Sequence, residues 1–479
     1  MAKSVKKNYL YNLAYEIIVL VVPLITAPYL SRVLGSEGVG VSSYTLSVVS
    51  YFILFANLGV SSYGSREIAM ARDNRKKASK IFWELFFLKM ITGIISLIGY
   101  SFIIAFAKEN TIIYFILIMN ILSNMFNITF LYQAVERFRA ISIRNIVVKI
   151  LCTACVFIFV KDKGDLNIYV LIHSLSLVLS TAILWTKYKQ IVDYVPIKKL
   201  KPLSHLKGTF VYFLPGIATN IYTVLDKTMI GLITHDRAEN GYYEQAYKII
   251  TMSLTVITSL NSVLYPRMSY LFEHKKMDEI RQRFNKSLNF VFLLSIPMCM
   301  GLASISKGFV PWFFGPGFEP VEYLLIVFSP IIIIIALSNL LCNQCLVPCG
   351  KRAQSTYCLF FGAIANLIAN ALLIPKYGSL GATYGSLIAE AVICISLTVL
   401  AREYIDFKEA INKLYQYLIA GLVMSYVIYA ISLKMRVSML TTFTEIVVGS
   451  MIYFGIMFLF KNEIVLMGID MFKKKLKKS

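Results

Sequence analysis

The sequence has few charged residues for its length. Only 15% of its 479 residues are charged, and just 26 are acidic, whereas soluble domains carry about 25% charged residues. Hydrophobic residues make up 57% of the chain, and the mean hydropathy is +0.68. Polar side chains are therefore too few to cover a water-facing surface. This composition excludes a soluble enzyme as the main interpretation.

Motifs for catalysis and metal binding are also missing. There is no GxxxxGK[ST] phosphate loop, so we do not expect this chain to hydrolyse ATP. The four histidines are scattered, and no histidine accompanies the cysteine groups at 152–155 and 342–349. We interpret these cysteines as small buried apolar residues. We expect no metal, no cofactor and no catalytic residue, with H⁺ or Na⁺ coupling left open.

Long apolar runs fill most of the chain. A helix that crosses a bilayer needs about 20 mostly apolar residues, and fourteen segments meet this requirement with only short connections between them. The sequence therefore predicts an all-α polytopic membrane protein with about 14 transmembrane helices. The predicted spans are 9–34, 39–63, 81–107, 111–133, 142–160, 166–187, 209–233, 241–266, 287–306, 321–347, 353–374, 381–402, 414–433 and 441–460.

Basic residues are distributed unevenly between the two sets of connections. If the amino terminus is cytoplasmic, 35 of the 48 lysines and arginines lie in inside segments and 8 in outside gaps. Inside loops of membrane proteins carry the excess of positive charge. Both termini are therefore predicted to be cytoplasmic. The positive net charge of +22 does not indicate nucleic-acid binding, because the charges fall in short gaps between spans.

Two halves of the chain share a spacing of residues. Gly40 and Arg66 bracket the second span, and Gly241 and Arg267 bracket the eighth, with 26 residues in each interval. Six spans per copy would give both copies one orientation. The sequence thus predicts two pseudo-symmetric six-helix lobes followed by two further helices. The expected ranges are 1–190 for the N-lobe, 191–408 for the C-lobe, and 409–479 for the last two helices and a basic tail.

Several charged residues lie inside the predicted spans. Each costs at least about 2.5–3.5 kcal/mol at the bilayer centre, so such residues usually face a protein or water-filled interior. One interpretation is functional: the cations line a cavity and bind an anionic headgroup, and the acids pair with these cations or bind a coupling ion. The other is structural, through i,i+4 pairs and snorkelling lysines. The candidate substrate-binding residues are Arg32, Lys89, Lys149, Lys227 and Lys248, and the candidate ion-coupling or charge-pairing residues are Glu16, Asp226, Glu244 and Glu390.

Four stretches of the sequence resemble one family of membrane proteins. They read "PYLSRVLGSEGVGVSSY", "FLYQAVERFRAISIRNIVVK", "VLDKTMIG" with "NGYYEQAYKI", and "NQCLVPCGKRAQ" with "GAIANLIANALLIPKYGSLGATYGSLIAE". They are similar to the polysaccharide (Wzx-type) flippases of the multidrug/oligosaccharidyl-lipid/polysaccharide exporter superfamily. The similarity extends from about residue 8 to residue 405.

The resemblance implies a function and a site. It implies transfer of an undecaprenyl-diphosphate-linked oligosaccharide from the cytoplasmic to the outer leaflet of a bacterial cell membrane by alternating access, for assembly of a surface polysaccharide. In relatives, basic residues of a central cavity bind the diphosphate and glycan, and Arg32, Lys227 and Lys248 fall in the corresponding spans. Expected partners are the lipid-linked substrate, membrane lipids and a polysaccharide polymerase with its assembly machinery. Lysines replace most of the family's cavity arginines here.

Three other functions stay open at this point. A drug or cation exporter of the same superfamily would favour an acidic cavity, whereas five of the charges within the spans are basic. A membrane-embedded polymerase or glycosyltransferase would need a sizeable loop carrying carboxylates or bases, and the predicted loops are short. A structural scaffold would leave the charges within the spans unexplained.

Overall fold

The computed structural model describes residues 2–258, 261–404 and 413–476, and these are almost wholly helical. No strand occurs among them. The chain begins with helices α1 Ala2–Asn57, α2 Val60–Met70, α3 Arg75–Phe106, α4 Thr111–Phe126, α5 Thr129–Ala134, α6 Phe138–Phe159, α7 Leu166–Trp185 and α8 Leu206–Ile233. Then come α9 Arg237–Thr258, α10 Asn261–Glu273, α11 Met277–Phe313, α12 Pro320–Phe328, α13 Ile331–Leu341, α14 Arg352–Ala401, α15 Leu414–Lys434, α16 Met439–Leu459 and α17 Glu463–Leu476.

The predicted fold class is confirmed. Within the described ranges, ten helices are long and apolar enough to cross a membrane. Two of these ten each cover two predicted spans, because α1 and α14 run through non-helical backbone at Gly35 and Gly378. Both glycines have positive φ, which residues with a Cβ adopt only with strain. The predicted gaps at 34–39 and 374–381 therefore coincide with real breaks in helix direction.

Two other predicted spans contain breaks that hydropathy did not indicate. The span 111–133 is divided between α4 and α5, and the span 321–347 is divided between α12 and α13 with Pro330 at the junction. A five-residue π-helix, Cys342–Leu346, follows α13. Hydropathy averages over about 19 residues, so a break of one or two residues does not change it.

The described contacts divide the chain into two compact units. The first contains residues 1–231 and 236–241, and the second contains residues 232–235 and 242–479. Helix α8 belongs to the first unit because polar groups on it bind α1, for example Thr228, which is hydrogen-bonded to Ser47 over 2.9 Å. The units are defined by packing and the predicted lobes by an internal repeat, so the ranges 1–190, 191–408 and 409–479 stay a prediction.

Buried side chains form two clusters in the core of the first unit. In the first unit one cluster joins α2, α3 and α5 around Phe82, Leu85 and Phe130, which are 0–1% exposed. A second cluster joins α1, α3 and α4 around Val49, Tyr100 and Leu117. Many large hydrophobic side chains elsewhere are exposed, as expected where lipid rather than water surrounds the helices.

Candidate functional site

Three consecutive residues of α8 place a charged group beside α1. Successive helical side chains point about 100° apart, so Asp226, Lys227 and Thr228 face different surroundings. Asp226 is 3% exposed, whereas Lys227 is half-buried. Thr228 accepts a hydrogen bond from the Tyr51 hydroxyl over 3.2 Å and is also bonded to Ser47. These contacts fix the register of α8 and hold the Lys227 side chain at a partly open position.

The connection after α8 is tied to the same part of the first unit. The Asn240 amide donates to the Lys227 carbonyl over 2.6 Å. The Arg237 guanidinium donates to Gly231 O over 2.9 Å and lies 4.0 Å from the centre of the Tyr44 ring, a distance at which cation–π attraction operates. The start of α9 is thereby held close to the end of α8.

The two glycines that defined the repeat lie against each other's segments. A Cβ placed on Gly40 would be 1.6 Å from the Arg237 carbonyl oxygen, and one placed on Gly241 would be 2.1 Å from the Ser36 carbonyl oxygen. Only glycine permits such an approach of two backbones. The structure thus shows a close contact between α1 and the start of α9, which the matched spacing did not predict, and the repeat itself stays a prediction.

A second cation lies in the other unit, on α9. The Lys248 ammonium is 3.4 Å from a Glu244 carboxylate oxygen, with 30% and 15% of the two side chains exposed. The structure thus confirms the predicted i,i+4 pair. Because the pair is neither fully buried nor fully exposed, Lys248 is accessible while its charge is compensated. Lys227 and Lys248 belong to different units, and a common site for them stays a prediction.

Lys89 occupies a fully enclosed position on α3. Its side chain is 1% exposed, and its ammonium donates to Asn127 O over 3.1 Å. Asn127 follows the last residue of α4, where carbonyl groups lack partners within the helix. Lys89 therefore stabilises the junction between α4 and α5 by binding a carbonyl group there. This position favours the structural interpretation.

The remaining candidates are not brought together by the described contacts. Arg32 is exposed on α1, and Lys149 is half-buried on α6. Glu390 is 4% exposed on α14. The side chain of Glu16 lies outside the described residues. The assignment of these four to substrate binding or ion coupling stays a prediction.

Two buried acids were missed by the sequence reasoning. Glu84 on α3 accepts hydrogen bonds from Lys201 N over 2.9 Å and pairs with His205 Nε2 over 3.0 Å. Glu445 on α16 is 1% exposed, and within the described part of the chain neither carboxylate oxygen has a hydrogen-bond partner. Both residues lie inside predicted spans, so the rule that singled out Glu390 could have found them. No group of three or more potential metal ligands occurs in the described ranges.

Comparison with known proteins gives a consistent set of relatives. A family model described as "Polysaccharide biosynthesis protein" matches residues 5–272. The chain is 22% identical over 408 residues to the "Putative O-antigen transporter" of Escherichia coli (strain K12), covering 83% of this chain and 97% of that protein. It is also 22% identical over 315 residues to the "Probable low-salt glycan biosynthesis flippase Agl15" of Haloferax volcanii, covering 63% of this chain and 64% of that protein.

A solved structure shows the same fold along nearly the whole chain. The structure titled "Lipid II flippase MurJ, inward closed conformation" superposes with a TM-score of 0.75 at 16% identity. The match covers 96% of this chain and 99% of that one. The helical order described above is therefore a known membrane-protein architecture.

Proposed function

Because the chain belongs to the polysaccharide biosynthesis protein family, we propose that it moves a lipid-linked oligosaccharide from the cytoplasmic to the outer leaflet of a bacterial cell membrane. The substrate is an undecaprenyl-diphosphate-linked repeat unit, and the mechanism is alternating access. The names of the transporter and flippase relatives support this proposal. These names are not those of enzymes, which agrees with a chain that performs no catalysis.

One observation carries the proposal. Lys227 is a half-buried cation on an apolar helix, and the residues on either side of it are engaged or enclosed by the first unit. A charged residue inside a membrane-spanning helix is energetically costly, so it is first interpreted as part of a functional site. A phosphate-bearing headgroup is attracted to this cation, and the lipid chain stays in the bilayer. We assign Lys248 and Arg32 to the same role. Glu244 pairs with Lys248 when no substrate is bound.

The driving force and partners follow from the same assignment. Since the sequence has no GxxxxGK[ST] phosphate loop, we propose that the energy comes from an ion gradient, the membrane potential or the substrate gradient. Glu16, Glu390 and Asp226 are the acids we propose for H⁺ or Na⁺ coupling. The product is delivered to a polysaccharide polymerase on the outer side of the membrane.

Translocation in proteoliposomes tests the proposal. A fluorescent undecaprenyl-diphosphate-linked oligosaccharide is protected from a membrane-impermeant quencher until it changes leaflet. We expect Lys227→Met to slow translocation about tenfold or more, since a hydrogen bond to a charged group contributes about 1.5–3 kcal/mol. The matched control is Lys161→Met, which removes an exposed loop lysine and leaves the rate unchanged.

Other outcomes identify the alternative functions. Equal rates for wild type and Lys227→Met would reject the assigned site. Export of a cationic dye without movement of the lipid-linked sugar would indicate a drug exporter. Lengthening of the glycan in the vesicles would indicate a polymerase. Rates that survive collapse of both the proton and the sodium gradient would exclude coupling to either ion.

A further inference from the structure

The second unit contains a cavity unconnected with the candidates above. It has a volume of about 260 Å³ and is lined by residues of α9, α10, α11, α13 and the π-helix. Its eleven lining residues include the three cations Arg267, Arg283 and Lys286 and no acid. Apolar side chains, among them Phe290 and Val291, account for five of the other eight lining residues.

Local geometry explains why the cations converge. Arg283 and Lys286 are three residues apart on α11, so they share one face of the helix. Arg267 comes from α10, which turns back into α11 through His274–Lys276, where Lys275 has a φ of 53°. The connection is short and α10 packs against α11, so Arg267 and Arg283 line the same cavity.

The inner wall of the cavity carries neutral polar groups. The π-helix Cys342–Leu346 brings Gln344 to the cavity, with 1% of this residue exposed. Insertions of this kind in α-helices are frequent at functional sites. Ser287 adds a hydroxyl on α11. An anion in the cavity would thus meet guanidinium groups at the rim and neutral hydrogen-bonding groups within.

An exposed acid beside the cavity, Glu279, compensates only part of the positive charge of the cluster. Glu279 lies 3.8 Å from Arg267 and 2.9 Å from Lys276, and all three side chains are 41–48% exposed. The hydrogen bond from Lys276, with the charges of Arg267 and Arg283, holds the pKa of the Glu279 carboxyl below its usual value. One exposed carboxylate shared among several cations leaves a positive field, and exposed pairs contribute little to stability.

Size and position identify the ligand class. Drug-sized ligands need pockets of about 300–1,000 Å³, so this cavity suits a headgroup and not a whole glycan. The apolar part of α11 begins at Ser287, one residue after Lys286, which is where a lipid phosphate meets water. Two arginines offer planar forks that match phosphate oxygens.

We propose that this cavity binds the phosphate or diphosphate group of a membrane lipid through Arg267, Arg283 and Lys286. The lipid chain extends along the apolar wall beside Phe290 and Val291. The ligand is either the diphosphate of the transported lipid, an assignment that rests on the proposed function, or an anionic phospholipid, an assignment that does not.

Photolabelling locates the ligand within the full-length protein. A photoreactive analogue of farnesyl diphosphate is bound to the purified chain in detergent, and labelled peptides are mapped by mass spectrometry. We expect labelling in the segment 284–291. Arg267→Gln and Arg283→Gln should each reduce it about tenfold or more, with an intermediate loss for Arg267→Lys and Arg283→Lys, which keep the charge and remove the fork.

Arg281→Gln is the matched control. It removes the same charge from an exposed residue of the same helix that does not line the cavity, so labelling should persist. Equal loss in Arg281→Gln would show a general surface-charge effect and overturn the proposal. Equal labelling by the photoreactive farnesol analogue, which lacks phosphate, would overturn it too.

Competition separates the two sources of phosphate. Displacement of the label by phosphatidylglycerol as well as by farnesyl diphosphate assigns the cavity to anionic phospholipids, whereas displacement by the diphosphate alone assigns it to the transported lipid. Lys227→Met should retain labelling at 284–291 whatever its transport rate. Failure of the transport proposal and failure of this inference are thereby distinguishable.

Discussion

Lys89 is a buried cation that binds the protein's own backbone. Its ammonium satisfies the Asn127 carbonyl at the end of α4 and is 1% exposed, so a substrate cannot reach it without a rearrangement of α3. We expect Lys89→Met to translocate within about twofold of wild type per folded molecule, because the methionine retains most of the volume. Lys227→Met should fall much further in the same assay.

Transport by Lys89→Met is normalised to the monodisperse fraction in size-exclusion chromatography. This correction separates a folding defect from a transport defect. If Lys89→Met lost as much translocation activity as Lys227→Met at an unchanged monodisperse yield, Lys89 would belong to the substrate site after all.

Individual charges could be predicted from the sequence, but their partners could not. Counting from span ends identified Lys89, Lys227 and Lys248 as charges within the membrane, and only the Glu244–Lys248 pair followed from spacing. The acceptor of Lys89 lies 38 positions away, where no local pattern indicates it. Arg144 lies near the start of the predicted span 142–160, and its partner could not be predicted either: it is 8% exposed and donates to Ser180 O.

The approach of α1 to the start of α9 depends on two glycines. A methyl group on Gly40 would overlap the Arg237 carbonyl, and a helix backbone cannot yield as a side chain can. We expect Gly40→Ala to destabilise the protein by about 3 kcal/mol or more, at the upper end of overpacking costs. The measurement is the melting temperature in detergent.

Gly455→Ala on α16 provides the control for Gly40→Ala. Nothing lies within 4 Å of a Cβ at Gly455, so the added methyl group should leave the melting temperature unchanged or raise it, since alanine favours helix. If both variants melt at the wild-type temperature, the contact between the two segments does not contribute to stability.

At the level of helices, hydropathy predicted the number and order of elements better than their ends. Helix α11 begins ten residues before the predicted span 287–306, because an amphipathic helix continues beyond the bilayer where its polar face meets water. The glycines at 35 and 378 mark turns that the sequence itself indicates. The π-helix at 342–346 has no such signal, since it depends on contacts made by α14 and α10.

At the scale of the whole molecule, composition and the distribution of charge predict the class of protein and its orientation in the membrane. Composition alone separated a membrane protein from a soluble one, and the asymmetry of 35 to 8 basic residues predicts its orientation. Division into units could not be predicted in the same way. The repeat places a boundary near residue 190, whereas polar contacts of α8 extend the first packed unit to Gly231.

Reporter fusions test the orientation of the whole chain. Basic loops resist transfer across the membrane, so alkaline phosphatase joined to either end should be inactive in a bacterial host, and a fluorescent protein at the same positions should be bright. Alkaline phosphatase inserted at Glu109, an exposed residue between α3 and α4, should be active, because this connection is predicted to face outward. Active phosphatase at both ends and inactive phosphatase at Glu109 would invert the topology. The cations of the cavity beside α11 would then face the outer leaflet, and the lipid that they bind would come from that side.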